Sequence, residues 1–171
     1  MSFQMPFTAA VSGGGWGTID VPVYSYQVAY ADRTIVIDTA VSAADSAKDP
    51  SFDRAAYDRM EAAMTSAADI VITHEHPDHI GGLVDHPALK DVLGHTHLTQ
   101  EQVDHPEKMF GLKFPAGALD GYKPLSYDHY HAIAPGIVLI RAAGHTPGSQ
   151  MVYVKTASGQ EVLFLGDIAW R

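Results

Sequence analysis

Residues 73–82, Thr-His-Glu-His-Pro-Asp-His-Ile-Gly-Gly, hold an unusual concentration of side chains that can bind a metal ion. Three imidazoles and two carboxylates fall between His74 and His79, directly after the apolar run 70–72. Neutral imidazole is a good ligand for zinc, iron and related ions, and carboxylates complete such sites. A strand that ends in these residues would present the donors from a rigid edge, so the segment predicts a metal site.

The spacing of the histidines favours a catalytic site. His74 and His76 are separated by one residue, so in an extended segment their side chains point the same way. Together with His145 they can form a three-histidine site that leaves a fourth position for water. This open arrangement is expected of catalytic zinc rather than of structural zinc.

A second ion can lie beside the first. Asp78 and His79 would face it, and Asp167 could bridge the two ions. Two ions about 3.5–4 Å apart would hold a hydroxide between them, because the pKa of bound water falls toward about 7. Asp78 is also predicted to act catalytically, by orienting the hydroxide or relaying a proton to the leaving group.

The surrounding elements must bring these residues together. An apolar strand is predicted to end just before His74, His145 and Asp167, and strand ends of one sheet converge on an edge where ligand sites commonly lie. The predicted strands are a hairpin of 21–29 with 34–37, the segments 69–73, 91–94 and 137–141, and a hairpin of 151–155 with 161–165.

Helices and one long loop complete the predicted secondary structure. Asp49-Pro50 predicts the N-cap and first-turn proline of a helix that leads to residue 67. Residues 80–90 predict a helix interrupted at Pro87, and residues 99–109 are helical in character. Residues 111–136 are rich in glycine, proline and aromatic residues, which predicts a long loop or lid.

Composition narrows the class of protein and its partners. The 171 residues suffice for one domain, predicted to span 1–171, and the net charge of −9 argues against binding nucleic acid. The expected partner is a small-molecule substrate. No apolar run approaches the ~20 residues of a membrane span, and the N-terminus does not resemble a secretory signal, so we predict no membrane association and a cytoplasmic location.

These motifs, taken in order, resemble the metallo-β-lactamase superfamily. The resemblance covers roughly residues 20–168 and rests on His74-x-His76-x-Asp78-His79, Gly144-His145-Thr146-Pro147-Gly148 and Leu165-Gly166-Asp167. It implies an α+β fold, the four-layer αββα sandwich. It also implies that His74, His76 and His145 bind one zinc ion, that Asp78 and His79 bind a second, and that Asp167 bridges them. Iron or manganese could replace zinc.

Two departures from the family pattern refine this expectation. The chain has no cysteine, whereas the zinc β-lactamases commonly use one for the second metal, so it resembles the glyoxalase II and lactonase side of the superfamily. The family also continues past the bridging Asp to a further metal-binding His, whereas this sequence ends at Arg171. We therefore expect a sandwich that is incomplete at the C-terminus and a second metal site that lacks one ligand.

The expected activity is hydrolysis of a lactone, thioester or related carbonyl substrate by zinc-bound hydroxide, with β-lactam or phosphodiester hydrolysis as alternatives. A different hypothesis is a catalytically incomplete metal-binding fragment that associates with a copy of itself or with a C-terminal piece. Asp38 is either a turn cap or, by the resemblance, a residue that orients a ligand. His95 and His97 are interpreted as rim residues rather than a further metal site, and no chemistry is assigned to Glu75.

Overall fold

The chain begins with a two-stranded antiparallel ribbon in the computed structural model, which describes residues 1–10 and 15–169. Strands β1 (Ser2–Pro6) and β2 (Thr18–Pro22) form this ribbon, with the short helix α1 (Phe7–Ala10) after β1. Residues 21 and 22 were predicted to belong to the first hairpin. They pair instead with β1, so that prediction was too long at its N-terminal end.

A four-stranded mixed sheet carries the histidine motif. Its strands, in spatial order, are β3 (Tyr26–Ala29), β4 (Thr34–Ile37), β5 (Asp69–Val71) and β6 (Thr96–His97). The β3–β4 pair is the predicted antiparallel hairpin, whereas β4, β5 and β6 run parallel. Parallel neighbours place the residues that follow β4 and β5 at the same edge of the sheet, which is where the motif begins.

Helices α2 (Ala43–Ser46) and α3 (Arg54–Ser66) connect β4 to β5. The predicted N-cap at Asp49 was wrong. Asp53 caps α3, since its side chain accepts a hydrogen bond from the amide of Ala56 at 2.9 Å. Asp49 instead accepts bonds from the backbone and hydroxyl of Ser51, which closes a turn before the helix starts.

Helices α4 (Pro77–Val84) and α5 (Leu89–Leu93) connect β5 to β6. The predicted strand at 91–94 was wrong, because this segment belongs to α5. Leu89, Val92 and Leu93 are all buried, and their i, i+3, i+4 spacing suits one face of a helix better than a strand. A run of four residues is too short to distinguish the periodicity of a helix from that of a strand.

Helix α6 (Gln100–Asp104) starts with a capping box formed by Thr99 and Gln102, as the helical character of 99–109 predicted, and a 3₁₀ turn follows at Pro106–Met109. The connection from 110 to 129 contains no helix or ladder strand. The predicted loop was too long, since β7 (Tyr130–Ala134) lies within 111–136.

The second sheet is entirely antiparallel. Its remaining strands are β8 (Ile137–Arg141), β9 (Gln150–Lys155) and β10 (Glu161–Phe164), and its spatial order is β10-β9-β8-β7. The strand at 137–141 and the last hairpin confirm the prediction. A 3₁₀ turn at Gly166–Ile168 follows β10.

Two hydrophobic layers hold the sheets and helices together. Ile35, Ile37 and Val71 of the first sheet pack against Ile137, Leu139, Val152 and Val154 of the second. The opposite face of the first sheet, with Val36 and Ile70, packs against α3, α4 and α5. This α-β-β stack agrees with the predicted α+β sandwich. In the described residues nothing helical follows β10 except the 3₁₀ turn, so the fourth layer is not present there.

No helix in the described ranges combines the length and the apolar character needed to cross a bilayer.

Helix α4 approaches the residues after β4 so closely that a side chain at Gly82 is excluded. A Cβ there would overlap the carbonyl oxygen of Thr39, a backbone atom that cannot rotate away. We expect Gly82→Ala to lower the free energy of unfolding by about 1–3 kcal/mol, measured by denaturant titration. Gly15→Ala is the control, because a Cβ at Gly15 contacts nothing within 4 Å. Equal unfolding midpoints for the two variants would contradict the packing described.

Candidate metal centre

Three chain segments that are distant in sequence meet at one edge of the sandwich. Residues 73–76 follow β5, residues 144–149 connect β8 to β9, and Asp167 follows β10. Helix α4 begins at Pro77. Proline suits this position because a backbone N–H in the first turn of a helix has no intrahelical acceptor, so its absence costs no hydrogen bond. The sequence predicted that these strand ends converge at the edge of one common sheet. They do converge, but β5 belongs to the first sheet and β8 and β10 to the second, so the packing of the two sheets brings them together.

The first group of donors consists of His74, His76 and His145. One ring nitrogen from each lies within 4.8 Å of the others. His145 Nε2 and His76 Nδ1 are 3.1 Å apart, and the His74 ring centre lies 4.7 Å from that of His76 and 4.9 Å from that of His145. Three imidazoles around one point match the donor set that the spacing predicted.

The state of His74 provides a test of whether a metal fits. Its side chain is buried, its Nδ1 lies 3.2 Å from the hydroxyl of Thr73, and its Nε2 has no hydrogen-bond partner. Burial, and then the neighbouring histidines, lower the pKa of His74 far below its usual range. A neutral, buried nitrogen without a partner is costly unless a ligand fills the role, so the residues present fit a bound cation.

A second group shares His74 with the first. It comprises His74, His79 and Asp167, again with one donor atom each within 4.8 Å. Asp167 Oδ1 lies 3.4 Å from His79 Nε2, and its Oδ2 lies 3.7 Å from His145 Nε2. The Asp167 carboxylate thus lies between the two groups, where a bridging ligand would be needed.

Asp78 lies beside this second group but outside it. Its Oδ2 is 3.6 Å from His79 Nε2, yet Asp78 belongs to neither of the mutually close donor groups found among the described residues. The structure therefore brings Asp78 to the edge of the site, next to its predicted partner His79. The donor that joins His79 and Asp167 in the second group is His74 rather than Asp78.

Asp38 orients His79. The buried Asp38 carboxylate accepts hydrogen bonds from the Thr73 amide at 2.7 Å and the Thr73 hydroxyl at 2.8 Å, and it lies 2.8 Å from His79 Nδ1. Burial alone would lower the pKa of His79, but the Asp38 charge, with Asp167 and Asp78, raises it to about 10. Of the two readings of Asp38, the structure favours the orienting one, since Nδ1 faces Asp38 and Nε2 faces Asp167.

Glu75 was not predicted to have any role, and the structure gives it one. Its side chain is fully buried and accepts hydrogen bonds from the Thr146 hydroxyl at 2.7 Å and the Gly148 amide at 3.2 Å. These partners belong to the segment that carries His145. The sequence offered one signal for this role, an ionisable residue between two site histidines. In an extended segment its side chain would point to the side opposite to theirs.

His95 and His97 have separate partners. His97 Nε2 lies 2.7 Å from an Asp69 oxygen, and His95 Nε2 lies 3.1 Å from the Met64 carbonyl. Neither belongs to a donor group in the described part of the chain.

A cleft of about 490 Å³ opens beside the second group. Asp78, His79 and Asp167 lie at its polar end, and the side chains of β3, β10 and the residues before β3 form its apolar walls. Tyr26 packs edge-on against Phe164 with ring centres 4.9 Å apart, which joins the two sheets along this cleft. Of the two donor groups, the cleft reaches His79 and Asp167 of the second.

An α-β-β stack with histidine and aspartate donors gathered at one edge of the sandwich is the arrangement expected of a metallo-hydrolase. The chain belongs to the metallo-β-lactamase superfamily, whose family model matches residues 18–171. A comparison with curated protein sequences gave no match.

Solved structures support the fold. One, described as a quorum-quenching N-acyl homoserine lactone lactonase, has a TM-score of 0.69 and 17% identity over 95% of this chain and 68% of its own. Another, an N-acyl homoserine lactone hydrolase with the product N-hexanoyl-L-homoserine bound at the catalytic metal centre, gives 0.66 and 18%, covering 94% and 69%. A probable metal-dependent hydrolase from Staphylococcus aureus gives 0.64 and 13%, covering 96% and 69%. The chain thus spans about two thirds of the length of each.

Proposed function

We propose that this chain is a metal-dependent hydrolase that acts on a lactone or thioester carbonyl, most readily with zinc and alternatively with iron or manganese. The observation that carries the proposal is the pair of donor groups that share His74 and have the Asp167 carboxylate between them. Structural zinc sites are closed by four protein ligands, whereas catalytic sites keep a position open for water or substrate. Among the described residues the first group contains three imidazoles and no fourth donor, which corresponds to the open kind.

The residues divide into two sets of ligands. The first ion would be held by His74, His76 and His145, and the second by Asp78 and His79, with Asp167 shared between them. When bound, the ions supply a Lewis acid for the carbonyl oxygen and lower the pKa of water toward about 7.

The side chains have further tasks during the reaction. Asp38 keeps Nδ1 of His79 engaged, so that Nε2 stays directed at the site. Asp78 lies at the polar end of the cleft and is only partly buried, so its carboxylate can accept a proton from the attacking water and return it to the leaving oxygen. The apolar walls hold the rest of the substrate and limit the entry of bulk water.

The lining of the cleft favours an uncharged carbonyl substrate. Among the described residues that form it there is no lysine or arginine, whereas Asp78 and Asp167 supply negative charge. Apart from the proposed metal ions and their histidine ligands, a phosphodiester or the carboxylate of a β-lactam would find no lysine or arginine among the described lining residues. The neighbours described as N-acyl homoserine lactonases support the choice of a lactone. The cytoplasmic location and a small-molecule substrate as the partner remain part of the proposal.

Metal analysis together with a substrate panel tests this function. We expect two ions per chain by elemental mass spectrometry, and turnover of an acyl lactone or a thioester that disappears after chelation and returns with zinc. Turnover of a phosphodiester or a β-lactam in preference to both would contradict the proposed substrate class. A chain without bound metal would contradict the metal centre itself.

A metal-binding fragment that needs a further piece of chain is the second candidate. The exposure of Tyr130 and Leu163 in the second sheet favours it, since the αββα sandwich expected from the resemblance would cover the outer face of that sheet with helices. This candidate predicts bound metal without turnover of any panel substrate, and self-association measurable by sedimentation. Turnover by a monomer would exclude it.

A further inference from the structure

We propose that Glu75 is a positioning residue for the metal centre, which fixes the segment carrying His145 against the strand end carrying His74 and His76. The inference rests on the proposed function, because it concerns the geometry of the proposed ligands. It assigns a task to a residue in the motif to which the sequence gave none.

The first observation is the direction of the Glu75 side chain. Residues 73–76 form a bent segment after β5, and the Glu75 side chain is directed at the segment that carries His145. There it is completely buried. Its two oxygens contact two different donors, the Thr146 hydroxyl at 2.7 Å and the Gly148 amide at 3.2 Å. One carboxylate thus contacts the residue next to His145 and the third residue after it.

The second observation is that these contacts join different layers. Glu75 follows β5 of the first sheet, whereas residues 144–149 connect β8 and β9 of the second. The distance of 3.1 Å between His76 Nδ1 and His145 Nε2 therefore depends on how the two sheets are held together at this edge. Glu75 is attached to the chain directly beside His76 and bonds the residue directly after His145.

The loop is built to receive this carboxylate. The Thr146 amide donates to the hydroxyl of Ser149 at 2.9 Å, which closes the turn and presents the Thr146 hydroxyl to Glu75. A Cβ at Gly148 would lie 2.6 Å from Glu75 Oε2 and 2.9 Å from the Gln102 amide nitrogen. Only glycine permits this approach, so the backbone at 148 can lie against the carboxylate.

The third observation is that the buried Glu75 side chain has no cationic partner in the described part of the chain. No lysine, arginine or histidine of the described residues forms an ion pair with Glu75 within 4.0 Å, although the side chain is buried. Burying an unpaired carboxylate is unfavourable, and an apolar side chain would fill the space at lower cost. The two hydrogen bonds to one loop are what an apolar residue could not provide.

Cobalt(II) binding tests the role independently of turnover, with the dissociation constant measured by competition with a chelator. We expect Glu75→Ala to weaken cobalt binding about 10–100-fold, the range typical of residues that orient metal ligands. The visible absorption spectrum of cobalt bound to Glu75→Ala should differ from that of the wild type, because the histidine ligands are no longer held in the same positions. Glu75→Gln should stay within about threefold of the wild type, because its amide can accept from Gly148 and donate to Thr146. The control for lost charge is Glu107→Ala, an exposed residue, which should bind as the wild type does.

The outcomes separate the two proposals. Wild-type protein that binds cobalt while Glu75→Ala binds it equally well overturns the positioning role alone. Equal weakening in Glu75→Ala and Glu75→Gln also overturns it, because hydrogen bonding would then not be the cause. Wild-type protein that binds no cobalt overturns both proposals. If circular dichroism shows that Glu75→Ala does not fold, Thr146→Val decides the matter: weaker binding supports the role, and unchanged binding overturns it.

Discussion

Replacement of Asp167 by alanine is expected to remove metal from both proposed sites and to lower turnover by at least about 10³-fold. The Asp167 carboxylate has Oδ1 3.4 Å from His79 Nε2 and Oδ2 3.7 Å from His145 Nε2, and it is the one ligand that the proposal shares between the two ions. His145 is proposed to bind the first ion alone. His145→Ala should therefore lose one ion and retain most of the other, whereas Asp167→Ala should lose both.

Elemental analysis and turnover of the same preparations check this expectation. Asp128→Ala is the matched control, since Asp128 is an exposed aspartate outside both donor groups. Circular dichroism of the metal-free proteins must show that the variant is folded. A folded Asp167→Ala protein that keeps two ions would be incompatible with a shared ligand.

The site was largely predictable because its information is local. The spacing between His74 and His79 depends only on strand geometry and on the start of helix α4, both of which are encoded in adjacent residues. His145 and Asp167 were predicted for the same reason, as polar residues shortly after apolar strands. What the sequence could not give is their relative placement, which depends on how two sheets pack against each other.

Errors in the fold arose where short segments left the local signal ambiguous. Residues 91–94 satisfy the strand and the helix pattern equally well, and burial against α4 and the first sheet selected the helix. Asp49 and Asp53 are both good N-cap residues. The structure uses Asp53 because Ser51 engages the side chain of Asp49 in a turn.

Glu75 escaped prediction because its partners are not local. They lie 71 and 73 residues further along the chain, and no pattern near Glu75 refers to them. Asp38 was undecided for a similar reason, since its partners Thr73 and His79 lie 35 and 41 residues away. Residues that position ligands are thus harder to read from a sequence than the ligands themselves.

Asp38→Ala is expected to lower the free energy of unfolding by about 3–5 kcal/mol, the cost of removing one partner of a buried polar cluster. Asp38 closes β4 in a left-handed backbone conformation with φ of 59°, and it accepts hydrogen bonds from Thr73 while facing His79. Alanine removes these bonds and also fits this backbone conformation poorly. Chemical denaturation of the metal-free protein measures the loss.

Asp38→Asn separates the structural effect from the effect on the ligand. Asparagine tolerates a left-handed backbone and its carbonyl can still accept from the Thr73 amide, so we expect a loss of only about 1–2 kcal/mol. The His79 Nδ1 would nevertheless lose its anionic partner, and its ring would no longer be held with Nε2 toward Asp167. The expected result is a fall from two ions per chain to one.

The exposed Asp128→Asn is the control, with the same change of charge outside the site. It should keep two ions and wild-type stability. If Asp38→Asn also keeps two ions, then packing alone holds His79 in place. Asp38 would in that case only accept hydrogen bonds from Thr73 and close β4. If it keeps one, the second ion depends on Asp38 although Asp38 is not a metal ligand. The Asp38 carboxylate would then act by holding His79 Nδ1, so that Nε2 stays directed toward Asp167.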